Sequence, residues 1–416
     1  MSAVTEVEER AARNAVLSPA SLLARAERLA RDLAAHAAAR DLAGEPAREA
    51  YADAYARIRA DRLGALRVPA RLGGAGGSVR DLATLVITLA SGDSSVAQAL
   101  LPHFVFVERT LLMATPAQVD DYLGRIAGGV LVGGASAERG TGVRGEVRTL
   151  LRREGNGYRL DGIKHYSTGA LIGDLVKVTA VDDAGDSVLV VLPAGREGIR
   201  LLDDWDGMGQ RGTVSGTSHF ENVAVAGHEV LRTQRWSTER HHTGAASQIV
   251  HCGIQVGIAL AALRDAVAWG RRGLRGVKES GVAKPQDDPY VLQVLGDISA
   301  QAEAARALTL HAADQVDAAA RARFGDEASA EDVARLAAHA SVVTAQAKVI
   351  ATQAGLHAGQ ALFDVGGAAT TLREHNFDRH WRNARTHATH DPVAYKLKAV
   401  GNALLNDVAP PVSYLY

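Results

Sequence analysis

Apolar residues recur every three to four positions over long stretches at both ends of the chain. Many of these stretches are rich in Ala, Leu, Arg and Glu, which favour the helix, so the pattern predicts amphipathic helices. The glycine-rich segment 68–78 separates the early helices, and Ser78 is placed to cap the helix that follows it. The helices predicted in this first part are Ala20–Ala39, Pro46–Leu63, Val79–Ser91 and one that begins at Asp93.

Between residues 128 and 230 the period changes to short runs rich in Val, Leu and Tyr. Gly, Asp and Asn turn signals separate these runs, as at Gly155–Gly157 and Asp182–Gly185. Short strands at this spacing are typical of a β-sandwich or a β-barrel. The predicted strands lie at 130–132, 147–152, 158–160, 175–181, 187–192 and 219–220.

Long Ala- and Leu-rich stretches return after residue 243 and predict an antiparallel helical bundle. The fold class is therefore α+β and multidomain, with a helical domain over 1–127, a central β domain over 128–240 and a helical bundle over 241–416. The Gly- and charge-rich stretch Gly270–Asp288 is the predicted ligand-contacting loop. The predicted bundle helices are 243–273, 288–319, 330–362, 373–388 and one from 392 to about Leu405.

Composition narrows the possible partners of this 416-residue chain. The formal net charge is −1, which argues against nucleic acid or an anionic membrane as the main partner. The single cysteine, Cys252, excludes an intrachain disulfide and is predicted to be a core residue. Residues Met1–Glu9 lack the pattern of a signal peptide, and charged residues interrupt the apolar stretch Ile249–Trp269. These features predict a soluble, cytoplasmic protein.

Several common catalytic motifs are missing from the sequence. There is no phosphate-binding Gly-x-x-x-x-Gly-Lys-[Ser/Thr] loop, no Gly-x-Ser-x-Gly elbow and no Cys/His cluster with zinc-finger spacing. The glycines at 73–77 do not follow a strand in a βαβ unit, so they predict a turn and not a dinucleotide site.

The densest group of potentially catalytic or ligand-binding side chains lies in the segment Arg379–Pro392, which contains three arginines and three histidines. On a helix, His380, Asn383, His387 and His390 would share one face. Asp391-Pro392 predicts a helix break, with Asp391 as the cap of the next helix, which would lower the pKa of its carboxylate. A metal site through His387, His390 and Asp391 is disfavoured by the arginines, which either recognise a phosphate or form an ion-paired face.

The α–β–α order and several motifs resemble the acyl-CoA dehydrogenase fold over essentially the whole chain. The motifs are the loop 68–78, Ser91–Gln98, Ala135-Ser-Ala-Glu138 and Tyr158-Arg-Leu-Asp-Gly-Ile-Lys-His-Tyr-Ser-Thr-Gly169. At the helix break where the dehydrogenases often keep a catalytic glutamate, this chain reads Thr389-His390-Asp391-Pro392. That break, together with 204–211, 215–217 and Arg379–Arg385, is similar to the flavin-dependent monooxygenase branch of the same superfamily.

The resemblance implies that reduced flavin adds O2 at its C4a position and that the resulting (hydro)peroxide oxygenates a small organic substrate at S, N or C. His390 would form or protonate the peroxide, and its ordinary pKa near neutrality suits that task. The alternatives are an FAD-dependent acyl-CoA dehydrogenase and a flavin-fold protein that only binds a ligand.

The same resemblance assigns individual residues. Ser167 would be catalytic with His390, close to the reactive edge of the flavin. Gly134 replaces an asparagine common in the branch, which implies room for a bulkier substrate or for water. His103 and Asp391 are implied substrate residues, and Lys164 is a structural one. The implied cofactor-binding residues are Ser136, Tyr166, Ser167, Thr168, Trp205 and Arg275, the last in contact with a flavin phosphate and reaching a neighbouring subunit.

The chain carries no nicotinamide-binding signature, so the resemblance implies FMN that a separate NAD(P)H:flavin reductase supplies in reduced form, with FAD as the alternative. The expected partners are a small-molecule substrate and O2, without nucleic acid, membrane or metal. The resemblance also implies a homotetramer.

Overall fold

The computed structural model describes residues 17–43, 47–143 and 145–416. The N-terminal part is helical, as predicted, and the segment Met1–Glu9 and residue Pro46 lie outside the described residues. Its helices are α1 (Pro19–Leu42), α2 (Ala47–Ala50), α3 (Ala52–Ala60), α4 (Val79–Gly92), α5 (Ser94–Ala99), α6 (Leu101–Met113) and α7 (Pro116–Ala127).

Local sequence explains where these helices begin and end. Ser78 caps α4, because its hydroxyl accepts a hydrogen bond from the Asp81 amide, and this confirms the predicted cap. The predicted helix 46–63 is wrong as one element, since the backbone of Tyr51 is not helical and separates α2 from α3. Helix α7, which the sequence patterns did not predict, begins at a capping box formed by Thr115 and Gln118.

Eight strands of the described chain form one mixed sheet. Strand β4 forms its centre, pairing in parallel with β1 along one half and with β2 at its end, and antiparallel with β5. The strands are β1 (Val132–Ala135), β2 (Leu150–Glu154), β3 (Gly157–His165), β4 (Leu175–Asp182), β5 (Ser187–Pro193), β6 (Ile199–Leu201), β7 (Thr217–Val225) and β8 (Val230–Arg232).

The C-terminal part is again helical, in agreement with the predicted order. The predicted helix 373–388 begins later, at Asp378, because Asn376 adopts a left-handed backbone with φ of 48°. The helices are α8 (Thr243–Arg272), α9 (Pro289–Phe324), α10 (Ala330–Ala361), α11 (Asp378–Ala388) and α12 (Val393–Asn406). The α–β–α fold class is confirmed, and the boundaries near residues 127 and 240 stay predictions.

Helix α8 runs through the middle of the helical core. Most of its side chains are buried, and it packs against α4, α9 and α10. The stretches Ser94–Met113 and Thr243–Arg272 are apolar enough to cross a membrane, but 67% and 89% of their apolar windows are buried inside the protein. Their apolar composition therefore reflects core packing.

Candidate functional site

The segment that follows β3 is fixed by backbone hydrogen bonds from two directions. The Ser167 amide donates to the carbonyl of Gly216 at 2.8 Å, and the Thr168 carbonyl accepts from the amide of Gly134 at 2.9 Å. This segment therefore lies between the end of β1 and the start of β7. It holds three of the predicted flavin-binding residues, Tyr166, Ser167 and Thr168, in one rigid turn.

The hydroxyl groups of this segment differ in their hydrogen bonding. Thr168 Oγ1 lies 2.8 Å from Ser215 Oγ, which in turn lies 2.7 Å from Thr213 Oγ1. Ser167 is 2% exposed, and its Oγ has no hydrogen-bond partner among the described residues. A buried hydroxyl without a partner is unfavourable, so Ser167 fits a site that a polar ligand completes.

Ser136 lies just beyond the end of β1, and its Oγ accepts a hydrogen bond from Thr179 Oγ1 at 3.1 Å. Its carbonyl accepts a bond from Lys164, whose ammonium also pairs with Glu138 at 2.6 Å inside the protein. Lys164 and Glu138 thus fix the backbone beside Ser136, which agrees with the structural role predicted for Lys164.

Tyr166 and Trp205 form an aromatic wall next to the Ser167 turn. Their rings meet edge to face at 5.6 Å, and Tyr166 is 50% exposed. The guanidinium of Arg139 lies 5.3 Å from the centre of the Tyr166 ring. Solvent-facing aromatic rings of this kind suit contact with a flat ring system.

A chain of hydrogen bonds connects this wall to the C-terminal helices. Trp205 donates through its indole N–H to the carbonyl of Gln210 at 2.9 Å. The Gln210 amide donates to the side-chain oxygen of Asn383 on α11 at 2.6 Å. Asn383 lies seven residues before His390, so the aromatic wall and the helix leading to His390 are held together.

Two arginines of the Arg379–Arg385 motif are ion-paired. Arg379 and His380 both contact the carboxylate of Asp265, and burial lowers the pKa of His380 to about 4. Arg382 pairs with Asp41 and with Asp378 at 2.7 Å. The predicted ion-paired face is therefore present for Arg379 and Arg382. Arg385, in contrast, is exposed.

His390 lies in the break between α11 and α12, as predicted. Its ring stacks on that of His251 from α8, with centroids 4.4 Å apart and ring planes 26° apart. His251 Nδ1 lies 2.9 Å from Nε2 of His387, and Gln255 Nε2 lies 3.0 Å from His387 Nδ1. Three histidines and one glutamine thus form a single cluster.

The hydrogen bonds of the cluster fix its tautomers. Gln255 Nε2 only donates, so His387 Nδ1 accepts and its proton lies on Nε2. That proton is donated to His251 Nδ1, which leaves the proton of His251 on Nε2. Burial, with the charge of Lys348 as the next cause, holds the pKa of His251 and of His387 well below the ordinary value. Both rings are therefore neutral near pH 7.

The prediction that Asp391 caps α12 is wrong. The cap position is occupied by Pro392, without a side-chain cap. Asp391 instead pairs with Lys396 at 2.7 Å, and both side chains are 1% exposed. The Lys396 ammonium also reaches the carbonyl of Leu415 and the ring of Tyr416 near the end of the chain. The lysine five residues later competes successfully for the carboxylate because the pair is excluded from water.

Lys348 on α10 is a further titratable group near the cluster. It is 1% exposed, its ammonium has no hydrogen-bond partner among the described residues, and burial lowers its pKa to about 8. Cys252 is buried, as predicted, and burial raises the pKa of its thiol to about 11. The thiol is therefore protonated near neutral pH.

His103 is fully buried where α6 meets β1. Its Nε2 lies 3.0 Å from the carbonyl of Gly64, and its Nδ1 accepts a bond from the amide of Val132 at 3.2 Å. Burial lowers its pKa to about 4. With both ring nitrogens used by the backbone, His103 acts as a spacer between elements here, and its contact with substrate stays a prediction.

The expected free space at Gly134 is filled by the protein itself. A side chain at this position would have its first carbon 2.8 Å from Pro102 and 3.6 Å from Lys177. The prediction that glycine leaves room for substrate or water is therefore wrong, because Pro102 of α6 packs directly on the strand. Arg275 is exposed on the loop between α8 and α9, within the stretch predicted to contact ligand.

The sequence patterns missed His251, Gln255, Lys348 and Lys177, because each lies in a strongly apolar run. One signal was available for two of them. His251 and Gln255 are four residues apart in a buried helix, so they share a face and require partners. Their partners lie more than 120 residues away, and only the packing of the helices brings them together.

Two family models match the chain. Residues 21–130 match the N-terminal domain of acyl-CoA dehydrogenase, and residues 249–394 match its C-terminal domain. A dibenzothiophene monooxygenase of Mycolicibacterium goodii is 34% identical over 384 residues, which cover 89% of this chain and 90% of the relative. A probable FMNH2-dependent monooxygenase, SfnC of Pseudomonas putida, is 31% identical over 95% of this chain and 98% of its own length.

A solved structure shows the same fold. The FMN-bound form of TdsC from Paenibacillus sp. A11-2 superposes with a TM-score of 0.87 at 28% identity, covering 95% of this chain and all of that chain. The chain belongs to the acyl-CoA dehydrogenase superfamily, and within it to the branch of FMN-dependent monooxygenases.

Proposed function

We propose that the chain is the oxygenase of a two-component system that places one oxygen atom on the sulfur of a small organic molecule. The observation that carries the proposal is the composition of the helix break. The break holds the imidazole of His390 against His251, whereas the carboxylate of Asp391 is paired with Lys396 in the interior. The relatives named for dibenzothiophene support sulfur as the oxygenated atom. Oxygenation at a nitrogen or carbon atom, which the sequence also predicts, is the less favoured alternative.

The reaction balances with two electrons from the cofactor. Substrate, O2 and reduced FMN give oxygenated substrate, water and oxidised FMN; a reductase then restores reduced FMN with electrons from NAD(P)H. Reduced FMN, when bound, supplies the activation of O2. The chain's own residues position the substrate, exclude water and move protons.

The residues of the sheet fit a bound flavin. Ser167 Oγ is buried without a partner, so a polar group of a ligand would satisfy it. Thr168 and Ser136 present further hydroxyls on neighbouring strand ends, and the Tyr166–Trp205 pair offers an aromatic surface. We assign these five residues to the isoalloxazine, and Arg275 to a phosphate of FMN bound by a neighbouring subunit.

His390 is the acid–base group of the proposal, moving a proton at one of its ring nitrogens. Its stacking on His251 limits the orientations of its ring, and the His251–His387–Gln255 hydrogen bonds keep His251 itself in place. General acid–base catalysis by a positioned side chain contributes about 10²- to 10⁴-fold. We therefore infer that His251 positions His390.

The dehydrogenase alternative lacks a free carboxylate at the break. A dehydrogenase requires a carboxylate that removes a proton beside a thioester carbonyl, and Asp391 is the only acid at this position. Its pairing with Lys396, at 1% exposure of both side chains, withdraws it from substrate. Through the same ion pair, Asp391 holds the helix break in position. The predicted contact of Asp391 with substrate therefore loses support.

The reaction is tested with purified protein, FMN, NADH and a set of thioethers that includes neutral dibenzothiophene and anionic (phenylthio)acetate, under ¹⁸O2, with and without an added NAD(P)H:flavin reductase. We expect an ¹⁸O-labelled sulfoxide only when the reductase is present. An unlabelled product, or none from any thioether tested, would contradict the oxygenase assignment.

Two further measurements separate the alternatives. Anaerobic bleaching of bound flavin by an acyl-CoA would favour the dehydrogenase. Failure to bind either FMN or FAD would leave a protein that only binds another ligand. Comparison of the FMN and FAD dissociation constants then decides between the two cofactors, with FMN expected to bind more tightly.

We further infer a homotetramer in the cytoplasm. Large apolar side chains are exposed on and after α12, which supports association through this surface: Tyr395, Leu397, Leu404, Leu405 and Val408. Sedimentation of the FMN-loaded protein checks this inference. A monomer at micromolar concentration would contradict it, and with it the contact of Arg275 with a neighbouring subunit.

A further inference from the structure

Lys177 is a buried cation without a partner among the described residues. It lies in the middle of β4 and is 5% exposed, and no described carboxylate pairs with it. Lys164 and Lys396 are equally buried, and each pairs with a carboxylate at 2.6–2.7 Å. A buried ammonium group is strongly unfavourable unless it is paired, so the position of Lys177 requires an explanation.

The strand register places Lys177 beside the proposed flavin-binding turn. Gly134 of β1 is its direct neighbour in the parallel pair, and the Gly134 amide is bonded to the carbonyl of Thr168. Side chains two residues apart on a strand share a face. Lys177 therefore shares its face of the sheet with Thr179, which bonds to Ser136.

Helix α6 covers this face and brings a second cation. Its residue Pro102 packs on Gly134, and Arg109 lies seven residues later on the same side of the helix. Arg109 is partly exposed and forms no ion pair with the described residues. Burial, and then repulsion from Arg109, lowers the pKa of Lys177 to about 7. Lys177 and Arg109 thus lie near each other between the helix and the sheet, and neither is paired with a described carboxylate.

We propose that Lys177 and Arg109 bind an anionic group of the substrate, a sulfinate, sulfonate or carboxylate. An ammonium and a guanidinium are suitable donors to such an oxyanion, and its charge would compensate the burial of Lys177. The inference rests on the proposed function, since it places this group next to the turn assigned to the flavin. It narrows the substrate class from a small organic molecule to an organic anion.

Binding without turnover tests the inference. Calorimetry on the protein loaded with oxidised FMN compares benzenesulfinate and benzoate with methyl phenyl sulfone, a neutral molecule of similar shape. We expect at least one of the two anions to bind about 10- to 100-fold more tightly than the sulfone, as charged hydrogen bonds imply. Whichever anion binds more tightly identifies the anionic group.

The variant Lys177→Met keeps the length of the side chain and removes its charge. We expect it to lose the preference for the anion, while the affinity for the sulfone stays within about twofold. Its melting temperature should equal or exceed that of the wild type, because an unpaired buried charge is removed. Lys398→Met, a change at an exposed lysine of α12, is the matched control and should keep the preference.

The pH dependence is a second readout. Anion affinity should fall as the pH rises through about 7, because Lys177 must be protonated to bind the anion. Arg109 stays charged over this range, and the strand neighbours Gly134 and Val191 carry no charge.

Three results would overturn the inference: equal affinities of the wild type for the anions and the sulfone, an undiminished preference in both Lys177→Met and Arg109→Met, or a loss of FMN affinity instead of anion affinity in Lys177→Met. The last would assign the cations to the FMN phosphate. None of these measurements depends on oxygenation, so failure of this inference is distinct from failure of the proposed function.

Discussion

The two sides of the candidate site are built from different chemistry. The sheet side presents hydroxyls and aromatic rings from residues 136–205, at Ser136, at Tyr166–Thr168 and at Trp205. The bundle side consists of titratable groups from four helices and from the break between α11 and α12, which are His251, Lys348, His387, His390, Asp391 and Lys396.

This difference separates two tasks. The sheet groups are hydroxyls and aromatic rings beside a turn that backbone bonds fix, so they are suited to hold a planar cofactor in one place. On the bundle side His390 is exposed, whereas the groups packed behind it are at most 3% exposed. Burial lowers the pKa of His251, of His387 and of Lys348 and so favours their neutral forms. We therefore expect substitutions on the sheet side to affect cofactor use and those on the bundle side to affect proton transfer.

The largest expected effect is that of His390→Ala. We expect oxygenation to fall by about 10²- to 10⁴-fold, because the acid–base group is removed. FMN affinity should stay within about tenfold, since the sheet side is unchanged. Single-turnover product yield and FMN titration measure the two effects. The exposed His36 of α1 supplies the control variant, His36→Ala, which should behave as the wild type. Near-normal turnover of His390→Ala would show that the role given to His390 is wrong.

A smaller loss is expected for His251→Phe, which keeps an aromatic ring against His390 but removes both ring nitrogens. We expect kcat to fall by about tenfold with KM unchanged, because His390 keeps its stack but loses the hydrogen-bonded neighbour that fixes it. The acidic limb of the pH–rate profile should also shift, which a purely structural role would not produce. An unshifted profile with wild-type kcat would limit His251 to packing.

Much of the sheet side could be predicted from the sequence, because its signals are local. The turn containing Ser167 follows a strand, and the neighbouring residues that position it are nearby in the chain or paired with it by strand register. Helix positions could likewise be predicted from their period and caps, as for Ser78 and α4. Local pattern and local structure coincide in such elements.

The bundle side could be predicted only at His390, where a proline marks the break. Its partners His251 and Lys348 lie in apolar runs whose period indicates core and nothing more. Asp391 was misassigned because the competing Lys396 lies five residues away in the next helix, and only burial decides between an amide and an ammonium. Contacts between distant helices depend on packing, which no single segment encodes.

On the sheet side, Ser167→Ala should lower the coupling of NADH consumption to product by a few-fold, with flavin binding reduced by less than about tenfold. The alanine removes a buried hydroxyl that has no partner among the described residues and leaves the backbone bonds of the turn intact. The ratio of product to NADH consumed, with peroxide measured alongside, checks this. Thr213→Val, which removes a hydroxyl already bonded inside the protein, is the comparison variant. Unchanged coupling in Ser167→Ala would remove Ser167 from the site.

The smallest expected effect concerns stability and comes from histidines that are buried in neutral form. The pKa of His103 is about 4 in the folded chain, below its unfolded value of about 6.5. The unfolded chain therefore binds more protons between these values, and the stabilisation is complete above about pH 6.5 and decreases as the pH falls towards 4. At about pH 5 this single residue should lower the free energy of unfolding by about 2 kcal/mol relative to about pH 7.5.

The variant His103→Gln tests this prediction. It keeps a donor and an acceptor but does not titrate, so its free energy of unfolding in urea should lose that part of the pH dependence. An equal dependence in both proteins would mean that His103 does not contribute and that other buried histidines, among them His251, His380 and His387 of the bundle, account for the acid sensitivity.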